Sequence, residues 1–315
     1  MLARVGQTAP WLRCLPDSGA IRYHRGRGFR MDIDVALLDR LAAENRERYA
    51  SATPFPHLVI DDFLETGALQ CVLDEFRDRP RATGFVMDDR YQRKWACNRM
   101  RDMGPHTRSL LRLLNSQEIT NFLEQLTGIE GLVPDPQLAG GGMHELRDAG
   151  FLKIHADFNY HESIRLYRRI NLILYLNHGW DAAKGGELEL WNRSMTACEA
   201  GYLPLFNRCV IFNTSGTSYH GNPNPVRLSD PAEARRSIAL FYYTRERAAG
   251  EDGDPHMSVY KYPAGEETLS ARARRIGRQC LPPILADAIV ALSGRERRLR
   301  KRTRRLTDRP HAPGP

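Results

Sequence analysis

The chain lacks any apolar run close to the ~20 residues that a membrane-spanning helix requires, so the sequence excludes a helical integral membrane protein. Cysteine is sparse. Six residues (Cys14, Cys71, Cys97, Cys198, Cys209, Cys280) are scattered through 315, with no CxxC pair. That spacing excludes a disulfide framework and a zinc site, and it fits a reducing cytoplasm. No internal repeat is present. The charge is unevenly spread as well. Of a formal +8, residues 271–315 hold thirteen Lys/Arg against Asp287, Glu296 and Asp308, and residues 1–30 hold six Arg against Asp17. The middle of the chain is therefore mildly acidic, which argues against a catalytic face built around polyanions.

What remains is ordinary for a soluble globular protein: 42% hydrophobic and 27% charged residues. Residues 1–30, rich in Arg, Gly and Pro, read as a flexible arm or as sequence ahead of the true start at Met31. Residues 31–131 read as a mostly helical support region. Helical spacing of apolar residues predicts helices over 34–48, 66–76, 110–114 and 119–126, the last N-capped by Ser116, and a short strand over 57–60 follows Pro54-Phe-Pro56. From Leu132 the texture changes to short β-like runs separated by turns: 143–146, 151–156, 169–176, 187–191, 208–213, 218–220 and 237–243. Many short strands behind a helical preface predict a mainly β, α+β sandwich or barrel with helices on one face, its core spanning 132–247. Residues 248–315 read as an extension, with a short helix over 281–292 and the basic run 295–309. That run reads as a solvated tail, or as a contact for nucleic acid or another anionic surface.

Chemistry concentrates in the β region. In a strand, residues two apart share a face, so His155 and Asp157 project together and offer one nitrogen and one oxygen to a single ion. A third ligand has to come from a neighbouring strand, and His220, in Ser-Tyr-His-Gly, suits better than His144 or His161. Two His and one carboxylate with open positions is the arrangement in which non-heme Fe(II) activates O2. Alternation also sorts two other strands. Asn171, Ile173 and Tyr175 face inward, opposite Leu172, Leu174 and Leu176. Arg235, Ser237, Ala239 and Phe241 share a face opposite Ile238, Leu240 and Tyr242. An inward Arg235 beside the Tyr175 hydroxyl suits a carboxylate, which a guanidinium can bind bidentately. Its neighbour Arg236 falls by parity on the apolar face.

These blocks resemble the 2-oxoglutarate/Fe(II) dioxygenases of the prolyl 4-hydroxylase-like group over roughly residues 54–247. The resemblance rests on Pro54-Phe-Pro-His-Leu-Val-Ile-Asp-Asp-Phe-Leu64, Phe151-Leu-Lys-Ile-His-Ala-Asp157, Arg168-Arg-Ile-Asn-Leu-Ile-Leu-Tyr175, Gly185-Gly-Glu-Leu-Glu-Leu-Trp191, Ser218-Tyr-His-Gly221 and Arg235-Arg-Ser-Ile-Ala-Leu-Phe-Tyr-Tyr243. It implies a double-stranded β-helix, or jelly-roll barrel, with helices against the larger sheet. It implies His155, Asp157 and His220 as iron ligands, and Arg235 and Tyr175, with Asn171 beside them, as the cosubstrate site. The implied cofactors are Fe(II), 2-oxoglutarate and O2, with ascorbate as an accessory reductant, and the implied substrate is a peptidyl or small molecule. The implied reaction is hydroxylation, with desaturation or cyclisation as other outcomes of the same oxidant. Some relatives carry Tyr three residues before the first ligand His, and here that position is Leu152. Asp157, a carboxylate, disfavours halide ligation. The region 85–102, aromatic and cationic without clear periodicity, reads as a substrate-facing insert.

Overall fold

The computed structural model describes residues 21–26, 28–78, 83–247 and 255–261. The expected helix over 281–292 and the basic run 295–309 lie outside the described residues. In chain order the elements open with strands β1 (Ile21–Gly26) and β2 (Gly28–Ile33), helix α1 (Val35–Ser51), β3 (His57–Ile60) and α2 (Thr66–Asp78). Next come β4 (Phe85–Asp88), β5 (Gln92–Cys97), α3 (Pro105–Leu114) and α4 (Gln117–Thr127). The remainder is strand: β6 (Val133–Pro134), β7 (Gly142–Leu146), β8 (Phe151–Ala156), β9 (Tyr160–His161), β10 (Leu166–Tyr175), β11 (Leu188–Trp191), β12 (Cys198–Tyr202), β13 (Cys209–Asn213), β14 (Tyr219–Asn222), β15 (Arg235–Thr244) and β16 (Val259–Tyr260).

Local chemistry explains the helix ends. The Asp34 carboxylate accepts from Leu37 N at 3.0 Å and starts α1. Glu75, on α2, caps α3 across space: its carboxylate accepts from His106 N at 2.7 Å and from Thr107 N at 2.8 Å. α4 stops at Gly128, whose φ of 71° is the left-handed conformation that glycine adopts without steric cost.

The strands form an antiparallel sheet in the order β12-β11-β14-β8-β5-β7-β15-β10-β13-β3 that curls into a jelly roll. Leu172 and Leu174 of β10, Leu176 just past its end, and Ile238, Leu240 and Tyr242 of β15 are buried in one cluster with Leu38, Leu69, Phe76, Leu111 and Leu123 of the helices. The helices therefore cover the outer face of the larger sheet, because those strands carry apolar residues at every second position. The inner face holds a second cluster of Tyr175, Leu188, Leu190, Val210 and Phe212.

Three expectations need correction. Residues 21–26 and 28–30, read as part of an arm, belong to the antiparallel strands β1 and β2. Within the 85–102 region, residues 85–97 form a regular hairpin, β4–β5, and β5 is inserted in the sheet between β7 and β8. Its large apolar residues Trp95 and Cys97 pack against the helices, while Gln92 and Lys94 alternate with them on the inner face and obscured the strand signal. Beyond residue 247, β16 returns to pair with β8, setting Tyr260 opposite His155.

Two register shifts decide which side chains enter the barrel. One lies in β10, between Arg168 and Ile170 in the pairing with β15. It brings Arg168 onto the same face as Asn171, three residues on, although regular alternation would oppose them. The other lies in the β14–β8 pairing, between His220↔His155 and Asn222↔Leu152. It places Leu152, three residues before His155, on the same face as His155.

Candidate metal and cosubstrate site

β8 and β14 lie side by side, and their paired residues His155 and His220 bring two imidazoles to 4.6 Å between ring centroids. Each ring is oriented by a backbone carbonyl two residues earlier. His155 Nδ1 donates to Lys153 O at 2.9 Å, and His220 Nδ1 donates to Ser218 O at 2.9 Å. A carbonyl only accepts, so each Nδ1 carries the proton and each Nε2 presents a lone pair. Both Nε2 atoms stand 3.3 Å from Asp157, one from Oδ1 and the other from Oδ2. All three residues are buried, and their ligand atoms lie within 4.8 Å of one another, a group able to hold a metal ion. His161 does not join it: its Nε2 sits 3.7 Å from Asp135 Oδ2, with the ring edge-on to Tyr243. His144, on β7, faces the barrel but is likewise outside the group.

Asp157 is held from the far side. Its Oδ2 accepts from Asn171 Nδ2 at 2.8 Å and pairs with Arg168 Nη2 at 2.9 Å, and Asn171 Oδ1 accepts from the same guanidinium. Arg168 is clamped over the Phe241 ring, 3.4 Å from its centroid, with Phe158 beyond. Burial would raise the Asp157 pKa, but Arg168 and then His220 outweigh it and hold the carboxyl well below its usual range. The His155 pKa is lowered, chiefly by burial and against the pull of Asp157, so the ring stays neutral as a metal requires. Asn171, expected at the cosubstrate, thus acts on a candidate metal ligand. Arg168 was missed, because without the bulge it would point away.

At the other end of the cavity Arg235 is buried, donating from Nε to Gly186 O at 2.6 Å and from Nη2 to the Tyr175 hydroxyl at 3.3 Å. No carboxylate pairs with it among the described residues. The Tyr175 pKa is raised by burial, which Arg235 partly offsets. A Cβ on Gly186 would come within 2.9 Å of Arg235 Cδ, so glycine lets the guanidinium lie against that turn. Arg236 points the opposite way, as alternation requires, and its Nε meets buried Glu145 at 3.0 Å. At the mouth, Tyr260 stacks on Tyr91 at 4.2 Å and lies 5.3 Å from the His155 ring. Tyr260 sits beyond the expected end of the core, and no sequence signal tied it to the site.

Residues 141–259 match the family model of the 2OG-Fe(II) oxygenase superfamily. That segment, which holds the His-Asp-His group and Arg235, is a 2OG-Fe(II) oxygenase domain. The protein is accordingly an oxidoreductase of the 2-oxoglutarate-dependent dioxygenase class, with Fe(II) and 2-oxoglutarate as its cofactor and cosubstrate. Among solved structures it is similar to a Pseudomonas putida prolyl-4-hydroxylase (15% identity, TM-score 0.45, 66% of this chain and 100% of that one). It is also similar to a Phytophthora capsici prolyl 4-hydroxylase (18% identity, TM-score 0.48, 81% and 76% coverage). A third similarity is to HygX of Streptomyces hygroscopicus, solved with nickel, 2-oxoglutarate and hygromycin B (12% identity, TM-score 0.41, 65% and 92%). The search of curated proteins gives no match. Among the described residues no helix is long and apolar enough to cross a membrane.

Proposed function

We propose that the protein hydroxylates an unactivated C–H bond of an amino-acid-like, prolyl or other small-molecule substrate. His155, Asp157 and His220 hold the iron, and Arg235 with Tyr175 holds the far carboxylate of 2-oxoglutarate. The donor set fits Fe(II): two neutral imidazoles with fixed tautomers and one carboxylate kept ionised by Arg168. With Fe(II) bound, the site would couple 2-oxoglutarate and O2 to C–H oxidation, one oxygen atom entering the product and the other the succinate formed with loss of CO2. The chain's own residues bind and orient. Arg235 and Tyr175 set the depth of the cosubstrate, Arg168 and Asn171 fix the Asp157 carboxylate, and the buried walls exclude water.

One observation carries this reading: a buried guanidinium with no acidic partner among the described residues, on the same inner face as a preorganised His-Asp-His group. A buried charge without a counter-ion is costly, and a dicarboxylate spanning from metal to Arg235 supplies the missing charge. The test loads the protein with Fe(II) without oxygen, adds 2-oxoglutarate and a panel of amino acids, prolyl peptides and small molecules, and then admits O2. Succinate formation coupled to a +16 mass shift in one panel member is the expected outcome. A loss of two hydrogens instead would identify desaturation or cyclisation, and no succinate under any condition would contradict the reading.

A further inference from the structure

β5 lies in the sheet between β7 and β8 and turns one face to the barrel. Trp95 and Cys97 pack outward on the helices, so Lys94 and Ala96 face the barrel. Trp95 pairs with Glu145 and Glu145 with Arg236, while Ala96 pairs with His144 and His144 with Ser237. One step along the same register sets Lys94, Leu146 and Arg235 in a single row across three strands. At about 4.8 Å between strands, the Lys94 and Arg235 backbones stand about 10 Å apart, a gap that two long side chains readily close upon.

We propose that Lys94 is a further cosubstrate-binding residue, whose ammonium pairs with a carboxylate of 2-oxoglutarate alongside Arg235. This rests on the reading of Arg235 as the cosubstrate clamp. The charges that act on Lys94 are those of Asp157, Arg168 and Arg235, as its place in the same row as Arg235 leads one to expect. Asp157 is the acid of that set, and Arg168 already neutralises it at 2.9 Å. The Lys94 ammonium has no hydrogen bond or ion pair among the described residues. Two cations, Lys94 and Arg235, are therefore left without counter-ions among the described residues, around a cavity whose cosubstrate is a dianion. Burial, with Arg168 and Arg235 adding to it, holds the Lys94 pKa down to about 8. An incoming carboxylate reverses that pressure.

The test is calorimetric binding of 2-oxoglutarate to the full chain loaded with Fe(II) under argon, for wild type, Lys94→Met, Lys94→Arg and Arg235→Ala. Lys94→Met is expected to weaken binding at least tenfold, and Lys94→Arg less. Without cosubstrate, Lys94→Met should melt no lower than wild type, because it removes an unpaired, desolvated cation. This separates a lost ligand contact from a damaged fold. Repeating the titration with 2-oxobutyrate identifies the carboxylate. A loss with both ligands assigns Lys94 to the metal end, and a loss confined to 2-oxoglutarate assigns it to the distal end. Unchanged 2-oxoglutarate affinity in Lys94→Met, with Arg235→Ala impaired, overturns the proposal and leaves the clamp standing. Unchanged affinity in both variants overturns the clamp as well.

Discussion

Two adjacent arginines, Arg235 and Arg236, serve opposite faces of one strand. Among the described residues Arg235 has neutral partners only, a carbonyl and a phenol, so its charge is available to a ligand. Arg236 is committed to Glu145 beneath the helices. Removing one partner of a buried charged pair costs roughly 2–5 kcal/mol, so Arg235→Ala should weaken 2-oxoglutarate about 30-fold or more with little change in melting temperature. Arg236→Ala should do the reverse: 2-oxoglutarate affinity is kept, while stability falls by up to ~3–5 kcal/mol, moderated by Arg147, which also reaches Glu145. Titration calorimetry and thermal melting on the same two proteins check both halves, and equal losses of affinity would refute the division of labour. At this scale alternation alone placed Arg235, Tyr175, Asn171, His155 and Asp157 on the inner face, because those stretches of strand are regular.

Regularity fails at the bulges, and there the sequence is silent. Nothing in Arg168-Arg169-Ile170 announces that Arg169 steps out of the ladder and lets Arg168 join Asn171 over Asp157. The same holds for Leu152, which the shift in β8 turns toward the metal side. A bulge is a property of the pairing between two strands, so one strand's pattern cannot show it. β5 escaped for a different reason: half its face is polar because it lines a charged cavity. Partners that orient metal ligands typically govern 10- to 100-fold in metal affinity. Asn171→Ala should therefore lower Fe(II) affinity on that order while leaving the fold intact, read by metal titration and circular dichroism. Wild-type affinity in that variant would mean that Asn171 has no role in positioning Asp157. The helices and the larger sheet were readable in advance, since Leu172, Leu174 and Leu176 advertise a buried outer face. Leu174→Ala should cost ~2–5 kcal/mol in denaturant unfolding.

For the molecule as a whole, the charged interior ties stability to pH. The His144 pKa is held well below its usual value, first by burial and then by Lys94, with Arg235 and Arg168 contributing. Below about pH 6.5 the unfolded chain takes up a proton at this position that the folded chain refuses. Stability should therefore fall as pH drops from about 6.5 toward 5, at up to ~1.4 kcal/mol per pH unit for that one proton. It should be flat in this respect above pH 7. His144→Asn should shallow the decline by that amount in chemical denaturation at pH 5 and 7, whatever its effect on absolute stability. An unchanged slope would place the acid sensitivity elsewhere.

The central claim is that one iron, held by His155, Asp157 and His220, drives turnover of 2-oxoglutarate. Its most direct test measures bound Fe(II) and succinate formed per molecule of protein in wild type, His220→Ala and the control His161→Ala. Wild type and His161→Ala should bind one iron and form succinate only when 2-oxoglutarate and O2 are both present, while His220→Ala, still folded, should do neither. Wild-type iron content and succinate formation in His220→Ala would contradict the account.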